Sequence, residues 1–397
     1  MANDPGAWPA LSFESHPWER TGSESGSRRQ LRRAAGRYDA ALPPLIARAN
    51  VALAPETLAA ADEASHALAR FDAEAGSFVA PFPAILLRSE SASSSEVENL
   101  TAGAKQIALA EIGAARSENA RLIVANTRAM DAAISLSADL DERAVIAMHS
   151  ALLSETAPEF VGRWRQEQVW IGGGALSPHD AEFVPPHHER VPELMQDLFD
   201  FVDRTDVPIL TQAAIAHAQF ETIHPFPDGN GRTGRALIHA MLHRGGLTRN
   251  LTVPVSAGLL RDPRSYFESL TAYRAGDVDA IVHAITNASF AAIDNGRRLV
   301  ADVKGIRDGW NARVRARSDS TVHRLLDLLL ARPVITVTAA SVLLGTSDVA
   351  AGNAINRLAS AGILTQAGGD IRYRIWQASE VLAALDAFAS RARRGRP

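Results

Sequence analysis

Apolar residues recur at three- and four-residue spacing in Ala- and Leu-rich stretches at 100–116, 118–135, 141–152, 191–203, 209–223, 265–275 and 278–300. That period belongs to helices buried along one face and excludes an all-β fold. The spacing predicts a mainly α fold. One β element interrupts it: two β-prone runs, Arg165 to Ile171 and Ala181 to Pro186, flank Gly172-Gly173-Gly174 and read as a hairpin. Upstream, residues 1 to about 25 are rich in Ser, Gly, Glu and Pro and read as an irregular arm. Arg28 to Arg70 carries helical patterning broken at Ala41-Leu42-Pro43-Pro44 and Ala54-Pro55. A length of 397 residues suits two or three domains, and 46% hydrophobic content suffices for their cores.

The densest chemistry lies in His224-Pro225-Phe226-Pro227-Asp228-Gly229-Asn230-Gly231-Arg232-Thr233-Gly234-Arg235. Gly229, Gly231 and Gly234 permit positive φ, so successive N–H groups can turn inward as an anion cradle, and Asn230 also tolerates left-handed geometry. Leu237, Ile238, Met241 and Leu242 repeat at helical spacing, so the loop feeds a helix N-terminus whose partial positive charge suits phosphate. Arg232 and Arg235, three apart, share a face of the first turn and can each grip phosphate oxygens in a fork. Asp228 at the mouth suits a hard divalent cation shared with phosphate. His224 is left as the proton acceptor near neutral pH.

These residues resemble the Fic family, whose core motif reads His-x-Phe-x-Asp/Glu-Gly-Asn-Gly-Arg-x-x-Arg. The resemblance implies an enzyme that moves AMP from ATP onto a protein side-chain hydroxyl, of a target or of itself. His224 would then take the hydroxyl proton, and Asp228 would bind Mg²⁺ bridging the α- and β-phosphates. Gly229, Asn230 and Gly231 would line the anion hole, Arg232 would hold the β-phosphate and Arg235 the γ-phosphate, with Thr233 and Gly234 completing the nucleotide loop. Family members that act as kinases often carry Lys where this chain has Gly231, which favours AMP transfer. The hairpin at 165–186 would be a flap that clamps the target backbone by strand addition through Gln168, Val169, Trp170 and Ile171. Tyr266 and Phe267 stand where related chains place an aromatic pair near adenine.

Ser93-Ser94-Ser95-Glu96-Val97-Glu98-Asn99-Leu100 reads on its own as the capped start of a helix, serines at the N-cap and acids in the first turn. Self-regulating Fic proteins carry Ser/Thr-x-x-x-Glu-Gly/Asn, and Ser94 through Asn99 fits. By that resemblance Glu98 would pair with Arg235 and keep ATP in a non-productive pose, as in the class with an N-terminal inhibitory helix. The expected division is an N-terminal arm and helical region (1–90), an inhibitory helix (91–106), a catalytic core (107–300), a linker (301–317) and a C-terminal domain (318–397).

In that last domain, helical patterning at 321–331, 338–344 and 348–361 precedes two strands at 363–365 and 371–376. The order is that of a winged helix-turn-helix, common at the C-terminus of Fic-like chains. Asn353, Asn356 and Arg357 on the candidate recognition helix, with Arg372 and Arg374 on the wing, are thin support for a DNA partner, and a protein–protein or intramolecular role is favoured. Arg391 to Arg396 reads as a solvated tail. The His187-His188 and His239/His243 pairs lack a third ligand, so surface or packing roles are favoured over metal binding, and His217 is expected to pack or orient rather than catalyse.

The absence of cysteine excludes disulfides and thiol chemistry and fits a reducing cytoplasm. The start Met1-Ala2-Asn3-Asp4-Pro5 lacks a secretory pattern, and the apolar run Leu325 to Leu330, broken by Asp327, is too short for a bilayer. A cytoplasmic protein without a membrane partner is expected, and a homodimer is compatible with the pattern. A net charge of −4 gives no global pull toward nucleic acid. The leading expectation is an autoinhibited AMP transferase. The alternatives are AMP removal at the same site and a nucleotide-sensing, DNA-binding regulator.

Overall fold

The computed structural model describes residues 8–18, 35–76, 81–174, 176–314, 320–368 and 374–393. Two compact units are built from discontinuous stretches of chain. One gathers Met1–Glu63, Asp131–Gly245 and Arg264–Thr286, and the other Ala64–Met130, Gly246–Pro263 and Asn287–Pro397. In chain order the elements are β1 (Ser12–Trp18), β2 (Gly36–Leu42), α1 (Pro55–Gly76), α2 (Phe82–Val97), α3 (Ala104–Glu111), α4 (Glu118–Ser135), α5 (Glu142–Leu153), α6 (Val191–Val202), α7 (Ile209–Ile223) and α8 (Asn230–Arg244). There follow α9 (Val255–Leu259), α10 (Pro263–Arg274), α11 (Val278–Arg313), α12 (Thr321–Ala331), β3 (Val334–Ile335), α13 (Val337–Leu344), α14 (Asp348–Ser360), β4 (Thr365–Gly368), β5 (Ile375–Gln377) and α15 (Ser379–Arg393). The fold is mainly α.

The first unit is organised around α7. Every residue from Leu210 to Ile223 is buried, so this helix has no solvent face and must be covered on all sides. Its polar members are satisfied within the unit: Gln219 Nε2 donates to the Pro44 carbonyl at 2.9 Å, and Gln212 Nε2 to those of Phe201 and Arg204 at 2.8 and 2.9 Å. Close approach of α8 depends on Gly234, where an added Cβ would lie 3.0 Å from both Glu221 Oε1 and Phe220 Cδ1 and 3.1 Å from His217 Nδ1. The arm expected near the N-terminus instead contains β1, paired antiparallel with β2 from Ser12↔Leu42 to Trp18↔Gly36. Tyr38 and Ala40 bury one side of β2 and Ala41 is buried on the other, so the helical patterning expected from Arg28 starts only at Pro55.

In the second unit, the serine-rich segment closes a helix rather than opening one. Three serines of α2 return their hydroxyls to carbonyls four residues back, Ser89 to Ile85, Ser91 to Leu87 and Ser95 to Ser91, each at 2.9 Å. The helix is fixed by burial: Glu90 accepts from the Ser256 amide at 2.9 Å and from its hydroxyl, and Asn126 Nδ2 donates to the Ser91 carbonyl at 2.9 Å. The expected linker is helical through Arg313, the end of α11. Beyond it, Ser320, Thr336 and Ser347 cap α12, α13 and α14 through the amides of His323, Ala339 and Ala350. The strands order as β3-β5-β4, both pairs antiparallel. Arg372 lies outside the described residues, and Arg374 is exposed. The expected arginine tail is partly engaged in this unit: Arg393 forms a two-pronged ion pair with Glu96, and Arg391 Nε donates to Asn295 Oδ1 at 2.7 Å.

Candidate active site

The site starts where α7 stops. His224 is its C-cap, in left-handed geometry at φ 52°, and its N–H closes the helix on the Phe220 carbonyl at 2.9 Å. A non-glycine residue there stores backbone strain and persists only when its surroundings hold it. Phe226, fully buried, anchors the loop. His149 lies flat on its ring at 3.6 Å and 3°, Trp164 sits at 5.1 Å, and the Asn230 side chain accepts from the Phe226 N–H through Oδ1 and donates to the Phe226 carbonyl through Nδ2, each at 2.8 Å. Asn230 therefore braces the loop with its side chain and leaves only its N–H to face an anion.

Of the glycines expected to take positive φ, only Gly229 does, at 77°; Gly231 and Gly234 are helical. The first intrahelical bond of α8 runs from the Thr233 N–H to the Gly229 carbonyl at 3.0 Å. The N–H groups of Asn230, Gly231 and Arg232 precede the first intrahelical bond, a helix-end geometry that suits an anion. Arg232 and Arg235 are 3% and 2% exposed, cations held in a dry setting beside that end. Thr233 is wholly buried. Asp228, by contrast, has 59% of its side chain exposed, with Oδ2 3.8 Å from Arg232 Nη2.

Burial first, then the nearby Arg165 cation, pushes the His224 imidazole down to about 3, against a weaker pull from the Glu221 carbonyl and with a further push from Arg274. The residue as a whole is half-buried, and its imidazole is neutral at ordinary pH. His217 is also pushed down to about 3, by burial and then Arg235, and its Nε2 lies 2.8 Å from the Tyr266 hydroxyl. Tyr266 is only 2% exposed and spends its polar atom on His217, while Phe267 is the half-exposed ring of that pair. His243 Nδ1 lies 2.8 Å from Ser137 Oγ, His187 stacks on His16 at 4.3 Å, and among the described residues no cluster of three metal-ligating side chains occurs.

The flap is slighter than a two-stranded hairpin: one antiparallel bridge, Ile171↔Phe183, joins its arms. The arms are held by side chains and by β2 instead. Gln168 Nε2 donates to the Pro185 carbonyl at 2.9 Å, Tyr38 donates to Gln168 Oε1 at 3.1 Å, and the Ala41 N–H bonds the Val184 carbonyl at 2.9 Å. Trp170 donates to the Gly174 carbonyl and meets Trp18 edge-on at 5.4 Å. Val169 and Ile171 remain half-exposed.

Two residues that the sequence did not flag prove central. His149 Nε2 donates to the Asp228 carbonyl at 3.0 Å, and burial pushes its pKa down to about 4, so it braces the loop as a neutral ring. Arg165, 3% exposed, donates from Nε to the His224 carbonyl at 2.8 Å. Each lies far from the motif in sequence, and nothing local distinguishes it from an ordinary helix or flap residue.

Residues 139–242 match the model of the Fic/DOC family. This stretch resembles a Fic domain. The chain is 32% identical over 152 residues to the Caenorhabditis elegans protein adenylyltransferase fic-1, a match covering 38% of this chain and 27% of that protein. It is 30% identical over 153 residues to the Nematostella vectensis protein adenylyltransferase Fic, covering 38% and 32%. The chain thus spans about a third or less of these curated relatives. A crystal structure of a Fic family protein from Desulfovibrio desulfuricans G20 superposes with a TM-score of 0.53 at 22% identity, covering 85% of this chain and 98% of that one, a likeness of fold.

In the second unit, Ser94 is fully buried and Glu98 half-buried at the C-cap of α2. Asn99 takes φ 63°, its N–H bonds the Glu96 carbonyl at 2.9 Å, and the Leu100 N–H bonds that of Ser95 at 3.0 Å. This is a Schellman C-cap with Asn99 at the left-handed position. It gives a physical reason for Gly or Asn after the glutamate: these residues tolerate that geometry at least cost.

Proposed function

We propose that the chain is an autoinhibited protein adenylyltransferase. The observation that carries this is the left-handed His224, a neutral imidazole at the end of α7, joined by a short braced loop to the N-terminus of α8, where Arg232 and Arg235 are buried. ATP is the substrate. A target hydroxyl gives its proton to His224 and attacks the α-phosphorus, the new P–O bond forms the AMP ester, and the bond to pyrophosphate breaks. The cradle of Gly229, Asn230, Gly231 and Arg232, with Thr233 and Gly234 completing the turn, binds the phosphates, and Arg235 takes the terminal one. Tyr266 orients His217 behind that arginine, and adenine contact falls to the neighbouring Phe267. The exposed Asp228 carboxylate suits Mg²⁺, whose remaining ligands would be phosphate and water oxygens; when bound, it neutralises developing charge on the phosphates.

Glu98 competes for Arg235 and holds the enzyme down, with Ser94 and Asn99 shaping the helix end that presents it. The target protein lies along Gln168, Val169, Trp170 and Ile171, and the enzyme also modifies itself. The helix–strand–helix–helix–strand–strand order of 321–377 suits a winged helix-turn-helix. Exposed Val342 and Val349, at 75% and 74%, beside few cations favour a protein contact, such as a homodimer, over DNA. Among the described residues no helix is long and apolar enough to cross a membrane, which suits the cytoplasmic setting proposed. Incubating the Glu98→Gly variant with ATP labelled at the α- or the γ-phosphate tests the reading. Protein label from the α-position alone is expected, and label from the γ-position alone would overturn it.

A further inference from the structure

The Arg165 guanidinium sits where the flap meets the base. Its Nε donates to the His224 carbonyl at 2.8 Å, its Nη1 to the Glu167 carbonyl on the first arm at 3.0 Å, and its Nη2 to the Pro186 carbonyl on the second arm at 2.5 Å. Nη2 also reaches the Ile223 carbonyl at 3.4 Å, and the Arg165 N–H bonds the Pro225 carbonyl at 2.9 Å. One buried cation therefore bridges both roots of the flap to the two carbonyls that frame the strained turn. A planar fork is needed for this: lysine offers a point charge and cannot reach three divergent acceptors at once. The arms carry only one backbone bridge of their own, so this clamp is a principal tie between them.

We propose that Arg165 is a positioning residue that couples the flap to the base, so that a target strand docked on the flap fixes the orientation of His224. The idea rests on the AMP-transfer reading. It assigns Arg165 to the chemical step rather than to nucleotide binding, because its acceptors lie on the flap and at His224 and none lies on α8. Its charge also acts on the imidazole. Burial is the main cause that keeps the ring neutral; the groups around it are Arg165 from the flap, the Glu221 carbonyl from α7 and Arg274 from α10, and of the two cations Arg165 acts more strongly.

The test compares Arg165→Met and Arg165→Lys in a Glu98→Gly background, measuring AMP transfer from α-labelled ATP to the enzyme itself and to lysate proteins. Both variants are expected to lose ~10- to 100-fold in saturating rate with an unchanged ATP concentration at half-saturation. The two should differ in pH profile: burial keeps the imidazole low in both, but the acid limb of Arg165→Met should lie above that of Arg165→Lys, which keeps the charge. Loss of folding alone would not produce that split. Should Arg165→Met fail to fold, Tyr38→Phe loosens the first arm by removing the hydroxyl on Gln168, and the saturating rate should fall by ~2- to 10-fold. A parent that transfers no label overturns the AMP-transfer reading and the coupling with it. A labelling parent whose Arg165 variants match it in rate and pH profile overturns the coupling alone.

Discussion

Among the described residues, two non-glycine residues adopt positive φ, and each closes a helix: His224 at 52° after α7 and Asn99 at 63° after α2. They differ in what holds them. Asn99 sits in a self-contained Schellman cap whose two bonds come from its own helix, and asparagine accepts left-handed geometry readily. His224 has an intrinsically less tolerant side chain and is held from outside its helix by Arg165 and by a loop braced through His149, Phe226 and Asn230. A helix end that forms by itself suits the regulatory role proposed for α2, and one that the surroundings impose suits the base role proposed for His224.

The largest expected break in that comparison is chemical. In a Glu98→Gly background, His224→Ala should lower AMP transfer by ~10²- to 10⁴-fold, the usual range for losing a general base. Asn99→Gly should leave transfer close to that of the starting protein. Next comes packing: Gly234→Ala forces a methyl into 3.0–3.1 Å contact with Glu221, Phe220 and His217, so a loss of ~1–3 kcal/mol in a denaturant melt is expected, with ATP binding weakened.

Backbone strain ranks lower. His224→Gly relieves a strained position and should stabilise the fold by ~1 kcal/mol while abolishing transfer. Asn99→Val places a β-branched residue at φ 63° and should cost ~1–2 kcal/mol. Equal stability changes at the two sites would remove the distinction drawn between them.

Acid sharpens the same contrast. His224 and His217 are pushed down to about 3 and His149 to about 4, so the unfolded chain binds protons more readily than the folded site. Their contribution to stability is complete above the unfolded value of about 6.5 and is lost as pH falls from there toward the folded values. Melting temperature should fall across that window, and His149→Asn should flatten the slope. A slope unchanged by this substitution would exclude His149 from the effect.

How much of this was legible in the sequence depends on how local each feature is. The loop from His224 to Arg235 is contiguous, so the residues gathered at the end of α7 and the start of α8 were visible together as one set. The exact sources of positive φ were not readable, because helical propensity gives no sign that α8 begins at Asn230 and that Gly234 serves close packing. β1 escaped notice because its partner lies some twenty residues on and its alternation is imperfect. In α2 the serine run suggested a helix start, but burial and back-bonding of Ser89, Ser91 and Ser95 carry the helix through it to Val97. Arg165 and His149 act across 59 and 79 residues of chain, a distance at which single-sequence patterns are silent.

The central claim is that His224 drives AMP transfer that Glu98 restrains. Mass spectrometry of lysate proteins incubated with ATP and either the Glu98→Gly or the Glu98→Gly/His224→Ala form tests it most directly. AMP adducts on protein hydroxyls with the first form and none with the second are predicted, and recovery of the same adducts from both would contradict the account.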